Sequence, residues 1–146
     1  MSAIRDAVLA YLDTLDGDSI LEIDPGPEPV VTGGRFRRRW IQAELPPEIP
    51  GVRSIRGRFP DARPPQLHDV VVWLDPSADA WPALLAQGLW RVLAGTSSRE
   101  EAVALAGRNP DAILGDPAGH VVAVFCVGPG PAMLYRPTRT RGSCCG

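Results

Sequence analysis

The sequence predicts a single α+β domain over residues 1–137, with an N-terminal helix and two central helices packed on a mainly antiparallel sheet. A flexible tail over residues 138–146 is predicted to follow it. Hydrophobic residues make up 45% of the chain, which is enough for a packed core. The chain contains 15 glycines and 16 prolines, which favour short elements separated by turns. Because short turns join strands in antiparallel pairs, we expect mainly antiparallel pairing.

The first part of the chain reads as one helix followed by strands. An amphipathic helix is predicted from Ser2 to Leu15, because apolar side chains recur there at helical spacing. Alternating apolar and polar residues predict a strand from Ser19 to Ile23. Two glycines then separate two apolar segments, 30–32 and 35–45, which predicts a hairpin. A further strand is expected over residues 52–59.

The central stretch, residues 69–95, supplies the predicted core. Val70 to Leu74 is a continuous apolar run, which is typical of a strand covered on both faces. A helix is predicted from about Ala80 to Ala94, because several large apolar residues follow a helical spacing there. These residues are Trp81, Leu85, Leu89, Val92 and Leu93.

The last part of the predicted domain contains a short helix and more strands. Ser97 and Ser98, followed by two glutamates, form a capping-box pattern that predicts a helix start, and Gly107 predicts its end. A second hairpin is expected from segments 112–114 and 120–127, and a last strand over residues 132–135.

Charge is segregated along the chain, and every basic residue is an arginine. The arginines are densest at the start of the second strand of this first predicted hairpin, where Arg35, Arg37, Arg38 and Arg39 surround Phe36 and precede Trp40. Arginines interleaved with aromatic residues can hold phosphates and stack on bases. However, the acidic segments of the same chain can face this strip, so nucleic acid is not an expected partner. Another protein is, and an interaction module that uses Arg35–Arg39 is one alternative function.

The tail ends in Ser143-Cys144-Cys145-Gly146 and contains no large apolar side chain. Nearby arginines favour the thiolate forms of Cys144 and Cys145, which are nucleophiles and soft-metal ligands. This ending resembles the dithiol tails of mercuric reductases and of some thioredoxin reductases. The resemblance implies soft-metal capture or disulfide exchange, although the flavin- and nucleotide-binding parts of those enzymes are absent. The sequence therefore predicts a small accessory protein whose exposed vicinal cysteines perform thiol chemistry, with a soft metal ion as its possible ligand.

A second reading of the same tail makes the chain a carrier or a substrate. A terminal glycine on a flexible arm, here Gly146, can be conjugated, and Cys144 and Cys145 can be modified by a partner enzyme. Ubiquitin-like and sulfur-carrier proteins, which are conjugated in this way, usually end in Gly-Gly, whereas here Cys145 precedes the glycine.

Several classes are excluded or disfavoured by what the sequence lacks. Without lysine there is no Schiff-base nucleophile and no P-loop lysine. No signal peptide is recognised, and no apolar run approaches the roughly 20 residues needed to span a bilayer. A cytoplasmic protein without a membrane partner is therefore expected, and a non-enzymatic role is favoured over an enzymatic one.

Overall fold

The computed structural model describes residues 3–130, which form one seven-stranded sheet with helices on both faces. The elements, in chain order, are α1 (Ala3–Leu12), β1 (Asp16–Ile23), β2 (Arg35–Ala43), β3 (Val52–Arg56), β4 (His68–Trp73), a 3₁₀ turn (Ala78–Ala80), α2 (Trp81–Gln87), β5 (Gly88–Thr96), α3 (Arg99–Ala106), β6 (Ala112–Gly115) and β7 (Val121–Cys126).

The sheet is mostly parallel, with the strand order β3-β2-β1-β4-β5-β7-β6. The pairs β1–β2, β2–β3, β1–β4 and β4–β5 are parallel. Only β7 runs the other way, between β5 and β6. The predicted α+β class with a mainly antiparallel sheet is therefore wrong, and the domain is an open α/β sheet.

The connections of the first three strands explain this error. A parallel connection usually needs about a dozen residues and a helix. Here residues 24–34 and 44–51 return the chain to the start of a parallel strand without any helix. Short, proline-rich links of this kind look like hairpin turns in a sequence. Accordingly, the predicted hairpin at Gly33-Gly34 is absent: Val30 and Val31 lie in the loop, and β2 pairs in parallel with β1.

The second error concerns the predicted helix from Ala80 to Ala94. Its first half is α2, but the chain becomes strand β5 at Gly88. Val92, Leu93 and Ala94 are buried between β4 and β7. A strand that is buried on both faces is apolar throughout, so its sequence also satisfies a helical spacing.

Two apolar clusters cover the two faces of the sheet. One, the α1 face, joins α1 to residues such as Ile20, Ile41 and Val70. The other, the α2 face, joins α2 and α3 to residues such as Leu21, Val71 and Phe125. On the α2 face Trp81 meets Phe125 edge to face, with ring centroids 6.0 Å apart. Such a pair contributes about 0.5–1.5 kcal/mol beyond its buried area.

The predicted start and end of α3 are confirmed. The Ser98 hydroxyl accepts the N–H of Glu101 at 3.1 Å, and the Glu101 carboxylate accepts the N–H of Ser97 at 2.8 Å. Gly107 ends the helix with φ 73°, and its N–H donates to the Val103 carbonyl. The predicted strand 132–135 lies outside the described residues, as does the tail 138–146.

Candidate functional site at the carboxyl edge of the sheet

The strand order marks one place in this sheet as the expected binding site. From β1 the chain moves outward through β2 and β3, and then returns to β4 on the other side of β1. In open α/β sheets, ligands bind outside the carboxyl ends of the strands at such a reversal point. The candidate site therefore lies beyond Ile23 of β1 and Trp73 of β4.

The chain turns sharply where it leaves β1. Asp24 has a positive φ of 50°, which is uncommon for a residue other than glycine. Its N–H donates to the Gln42 carbonyl of β2 at 2.7 Å, which fixes the turn against the neighbouring strand. Gly26 follows, and a Cβ at that position would meet no atom within 4 Å. The turn thus leaves open space beside the end of β1.

The loop over residues 24–34 is held from inside by Glu22 of β1. This carboxylate is 1% exposed, and one of its oxygens accepts the N–H groups of Val30 at 2.8 Å and Val31 at 3.0 Å. Burial raises the pKa of Glu22 to about 7, although the two hydrogen bonds and the charge of Arg5 act in the opposite direction. Glu22 therefore takes up a proton in the neutral range while it positions the loop.

Two arginines hold the carbonyl groups of the same loop. Arg39 donates from one nitrogen to the carbonyls of Val31 at 2.7 Å and Gly33 at 2.6 Å, and from the other to Gly34 at 2.9 Å. Arg5 of α1 donates to the carbonyls of residues 28 and 29. The loop thus has a fixed shape although it contains no helix.

Replacing Arg39 with lysine should loosen this loop, because an ammonium cannot reproduce the planar fork that reaches all three carbonyls. We expect amide hydrogen exchange to accelerate at least tenfold at Val30 and Val31, while exchange in α3 is unchanged. Arg99→Lys, on exposed α3, is the matched control. Equal protection in the Arg39→Lys protein and the wild type would contradict this assignment.

The carboxyl edge around this loop carries carboxylates. Asp24 follows β1, Glu44 follows β2, and Asp75 comes shortly after β4, and all three are exposed. The arginines of β2 lie in its first half, away from this edge. Arg56 and Arg58 stand at the carboxyl end of β3, so the excess of carboxylates is confined to the ends of β1, β2 and β4, where a cationic group is favoured.

The loop after β1 is also unsuited to a pyrophosphate. Such groups are usually held by a glycine-rich turn and the N-terminus of the helix that follows the first strand. Here no helix begins after β1, and Pro25, Pro27 and Pro29 lack N–H donors. The site is therefore poorly equipped for a dinucleotide.

A histidine and a carboxylate form a pair at the same edge. The turn between β6 and β7 lies there, because β6 is parallel to β5 and ends at Gly115. His120 Nδ1 lies 2.8 Å from Asp116 Oδ2, and the other carboxylate oxygen of Asp116 accepts the backbone N–H of His120 at 2.9 Å. The imidazole is 64% exposed, whereas the carboxylate is 3% exposed. The pair therefore presents an oriented imidazole to solvent.

The residues predicted as sites from the sequence lie elsewhere. Arg37 and Arg38 pair with Asp18, Arg37 at 3.7 Å, and Arg39 is bound to the loop carbonyls. Arg35 is exposed at the beginning of β2, and Trp40 is half-buried on the α2 face. The strip thus divides between the two faces of the sheet. Cys144, Cys145 and Gly146 lie outside the described residues.

The carboxyl-edge residues were missed because their meaning depends on parallel pairing. Asp24 and Glu44 are separated by about 20 residues, the spacing at which an acidic residue after the second strand of such a sheet meets a ribose. That spacing was readable in the sequence, but only with β1 and β2 recognised as parallel neighbours.

No metal centre and no membrane-spanning helix is found in the part of the chain that the structure describes. Within residues 3–130, no three His, Cys, Asp or Glu side chains come together so as to hold an ion. No helix over the same residues is long and apolar enough to cross a bilayer.

Comparison with solved structures identifies the fold. The N-methyltransferase NodS from Bradyrhizobium japonicum, in complex with S-adenosyl-L-homocysteine, superposes with a TM-score of 0.61 at 11% identity, covering 84% of this chain and 85% of that one. A TehB-like SAM-dependent methyltransferase from Corynebacterium glutamicum superposes with a TM-score of 0.54 at 17% identity, and the match covers 85% of this chain and 88% of that one. The T. thermophilus 16S rRNA N2 G1207 methyltransferase, in complex with AdoMet and guanosine, gives 0.52 at 14% identity, covering 89% of this chain and 40% of that one. Comparisons with protein families and with curated sequences give no match.

The domain therefore shares its fold with these SAM-dependent methyltransferases, and this finding corrects the function expected from the sequence. The prediction of a thiol-handling accessory protein is wrong, because it rested on the Cys144-Cys145 tail and not on the architecture of the domain. The carrier and interaction-module alternatives belonged to the same prediction and are corrected with it.

Proposed function

We propose that this chain binds S-adenosylmethionine at the carboxyl edge between β1 and β4 and transfers its methyl group to an acceptor. The observation that carries this proposal is the exposed carboxylate of Glu44, directly after β2 and about 20 residues beyond Asp24. It stands beside a turn that leaves open space at Gly26. The fold shared with SAM-dependent methyltransferases supports the same proposal.

The residues at this edge fit the chemistry of that cofactor. Its ribose hydroxyls can donate to the carboxylate of Glu44. Its sulfonium and ammonium groups are cations, which the carboxylates of Asp24 and Asp75 attract. It has no phosphate, so the missing helix N-terminus after β1 and the prolines in that loop are no disadvantage. The fixed shape of the loop, held by Glu22 and Arg39, reduces the ordering cost of binding.

S-adenosylmethionine supplies, when bound, a methyl group on a positively charged sulfur. In the transfer, a lone pair of the acceptor forms a bond to the methyl carbon, the carbon–sulfur bond breaks, and its electron pair stays on sulfur. An acceptor that carries a proton must then lose it. The His120 imidazole, exposed at this edge and oriented by Asp116, is the group that we assign to take that proton.

Calorimetric titration with S-adenosylmethionine and with S-adenosylhomocysteine tests the binding step. We expect the wild type to bind both, and Glu44→Gln to bind at least tenfold more weakly, because a neutral amide accepts more weakly from ribose hydroxyls. Glu48→Gln, an exposed change in the same β2–β3 connection, is the matched control and should bind like the wild type. Absence of binding by the wild type at millimolar ligand, or equal affinities of the two variants, would refute the proposed site.

The transfer step is tested separately, by following S-adenosylhomocysteine formation with a panel of amine, thiol, hydroxyl and carboxylate acceptors. His120→Gln should bind S-adenosylmethionine normally but lose at least tenfold in rate with a protonated acceptor near neutral pH. An unchanged rate would remove His120 from the mechanism and leave the binding assignment standing.

A further inference from the structure

Within the described residues 3–130, β3 is an edge strand of the sheet, and it and the connection after it carry arginines without carboxylate partners. Arg53 and Arg56 lie within β3, and Arg58 and Arg63 lie in the connection that follows it; all four are exposed. No ion pair joins any of these side chains to a carboxylate of the described residues. We call these residues the β3-edge arginines. They differ from Arg37, Arg38 and Arg39, whose guanidinium groups are engaged within the domain.

Two of the β3-edge arginines are already held in place by aromatic rings. Arg53 lies over Trp40, with its guanidinium carbon 5.5 Å from the ring centroid. Arg63 lies over Phe59 at the same distance. A stacked guanidinium keeps its in-plane N–H donors directed outward, so less side-chain entropy is lost when it binds an anion. The edge is therefore preorganised as well as basic.

The arginines stand on both faces of the edge strand. Arg53 is paired in register with Trp40, which lies on the α2 face. Arg56 is three residues further along β3 and so points to the opposite face. A strand at the end of a sheet also has a row of backbone N–H and C=O groups without a neighbouring strand. Charge and main-chain hydrogen-bonding capacity thus occur together at β3.

We infer that β3 is a docking edge for an extended, acidic segment of a partner protein, which adds to the sheet as a further strand. Side chains of an added strand alternate between the two faces, so its carboxylates can meet Arg53 on one face and Arg56 on the other. A nucleic acid strand would instead need a continuous basic groove on one side. Repulsion among the arginines opposes the pairing of two copies of this edge.

The test uses the full chain and a synthetic ten-residue peptide in which pairs of glutamates alternate with pairs of valines, so that an added strand presents carboxylates on both of its faces. We expect NMR shift changes concentrated on Val52–Arg56 and on the β2 residues paired with them, and binding that weakens as salt is raised. The same peptide with lysine in place of glutamate should not bind. A peptide N-methylated at alternate backbone nitrogens should bind at least tenfold more weakly, because it cannot complete the strand ladder.

Variants of the chain complete the experiment. Arg53→Glu combined with Arg56→Glu should abolish binding of the acidic peptide, whereas Arg99→Glu on exposed α3 should leave it unchanged. Both proteins should still bind S-adenosylmethionine if the carboxyl-edge site is correct, so the two proposals can fail independently. Tighter binding of oligo(dT) than of the acidic peptide, or equal affinity of the N-methylated peptide, would overturn the inference.

Discussion

Replacing Glu22 with glutamine is expected to reveal a steep dependence of stability on pH that the wild-type protein conceals. Between about pH 4.5 and 6.5, the free energy of unfolding of the Glu22→Gln protein should rise by about 1 kcal/mol per pH unit. In the wild-type protein, the contributions of the two buried titrating groups, Glu22 and His68, should nearly cancel. These two groups should therefore leave the free energy of unfolding almost constant over the same interval.

The reason is that these two groups act with opposite signs. Burial raises the pKa of Glu22 to about 7, so between pH 4.5 and 7 the folded state holds a proton that the unfolded state releases, and stability falls as pH rises. Burial, and secondarily the charge of Arg38, lowers the pKa of His68 to about 4. Between pH 4 and 6.5 the unfolded state therefore holds a proton that the folded state lacks, and stability rises with pH. Where the two intervals overlap, the two slopes cancel.

The complementary variant is His68→Phe. His68 is 0% exposed, and among residues 3–130 neither of its ring nitrogens has a hydrogen-bond partner. Its ring lies 6.0 Å from that of Trp40, centroid to centroid. A phenyl ring can keep that contact without two unsatisfied polar atoms, so we expect this protein to be more stable than the wild type near pH 5 and to lose stability as pH rises from 4.5 to 7. Urea denaturation at half-unit pH steps measures all three proteins. Parallel curves for the three would show that neither group titrates as described.

Replacing Gly95 with alanine is expected to destabilise the protein by about 3 kcal/mol or more. A Cβ on Gly95 would lie 1.9 Å from the carbonyl oxygen of Leu74 and 2.6 Å from its carbonyl carbon. Both partners are backbone atoms, so the clash cannot be relieved by rotating a side chain. The end of β4, which leads to Asp75, would have to move away from β5.

Gly115→Ala provides the control, because a Cβ there would meet its nearest atom, the His120 carbonyl oxygen, at an ordinary 3.6 Å. Urea midpoints of the two variants give the comparison. We expect Gly95→Ala to lose a large part of the stability, and Gly115→Ala to differ from the wild type by less than about 1 kcal/mol. Similar midpoints would mean that β4 and β5 do not approach each other as closely as described.

The parts of the fold that local signals determine could be predicted from the sequence. Ser98 and Gly107 cap α3 through hydrogen bonds to backbone groups within a few residues, so the local sequence is enough to predict both caps. The apolar run Val70 to Leu74 predicts a doubly covered strand, and β4 contains this run as far as Trp73 with every residue buried. Strand direction is different, because it depends on where the chain goes between strands. Loop 24–34 gains its shape from Glu22, Arg5 and Arg39, whose contacts with it form only when α1, β1 and β2 are packed together.

The candidate site was not predictable for the same reason. Asp24, Glu44 and Asp75 are ordinary exposed acids in a sequence, and they share an edge only when β1, β2 and β4 run in parallel. The tail drew attention because cysteine chemistry is recognisable without any fold. The arginines of residues 35–39 were also conspicuous in the sequence, yet they do not form one site. Arg37 and Arg38 pair with Asp18, Arg39 binds the loop carbonyls, and Arg35 is exposed.

The helix-free connections of β1, β2 and β3 also bear on how the chain folds. Closing a loop costs entropy that grows with its length, and a helical crossover must in addition be nucleated. The strands β1, β2 and β3 are adjacent in the chain and in the sheet, and β6 and β7 form a hairpin. Both ends of the sheet can therefore assemble from contacts that are near in sequence. The β6–β7 hairpin then joins β5 through β7, and the turn that carries His120 reaches the carboxyl edge only at that step.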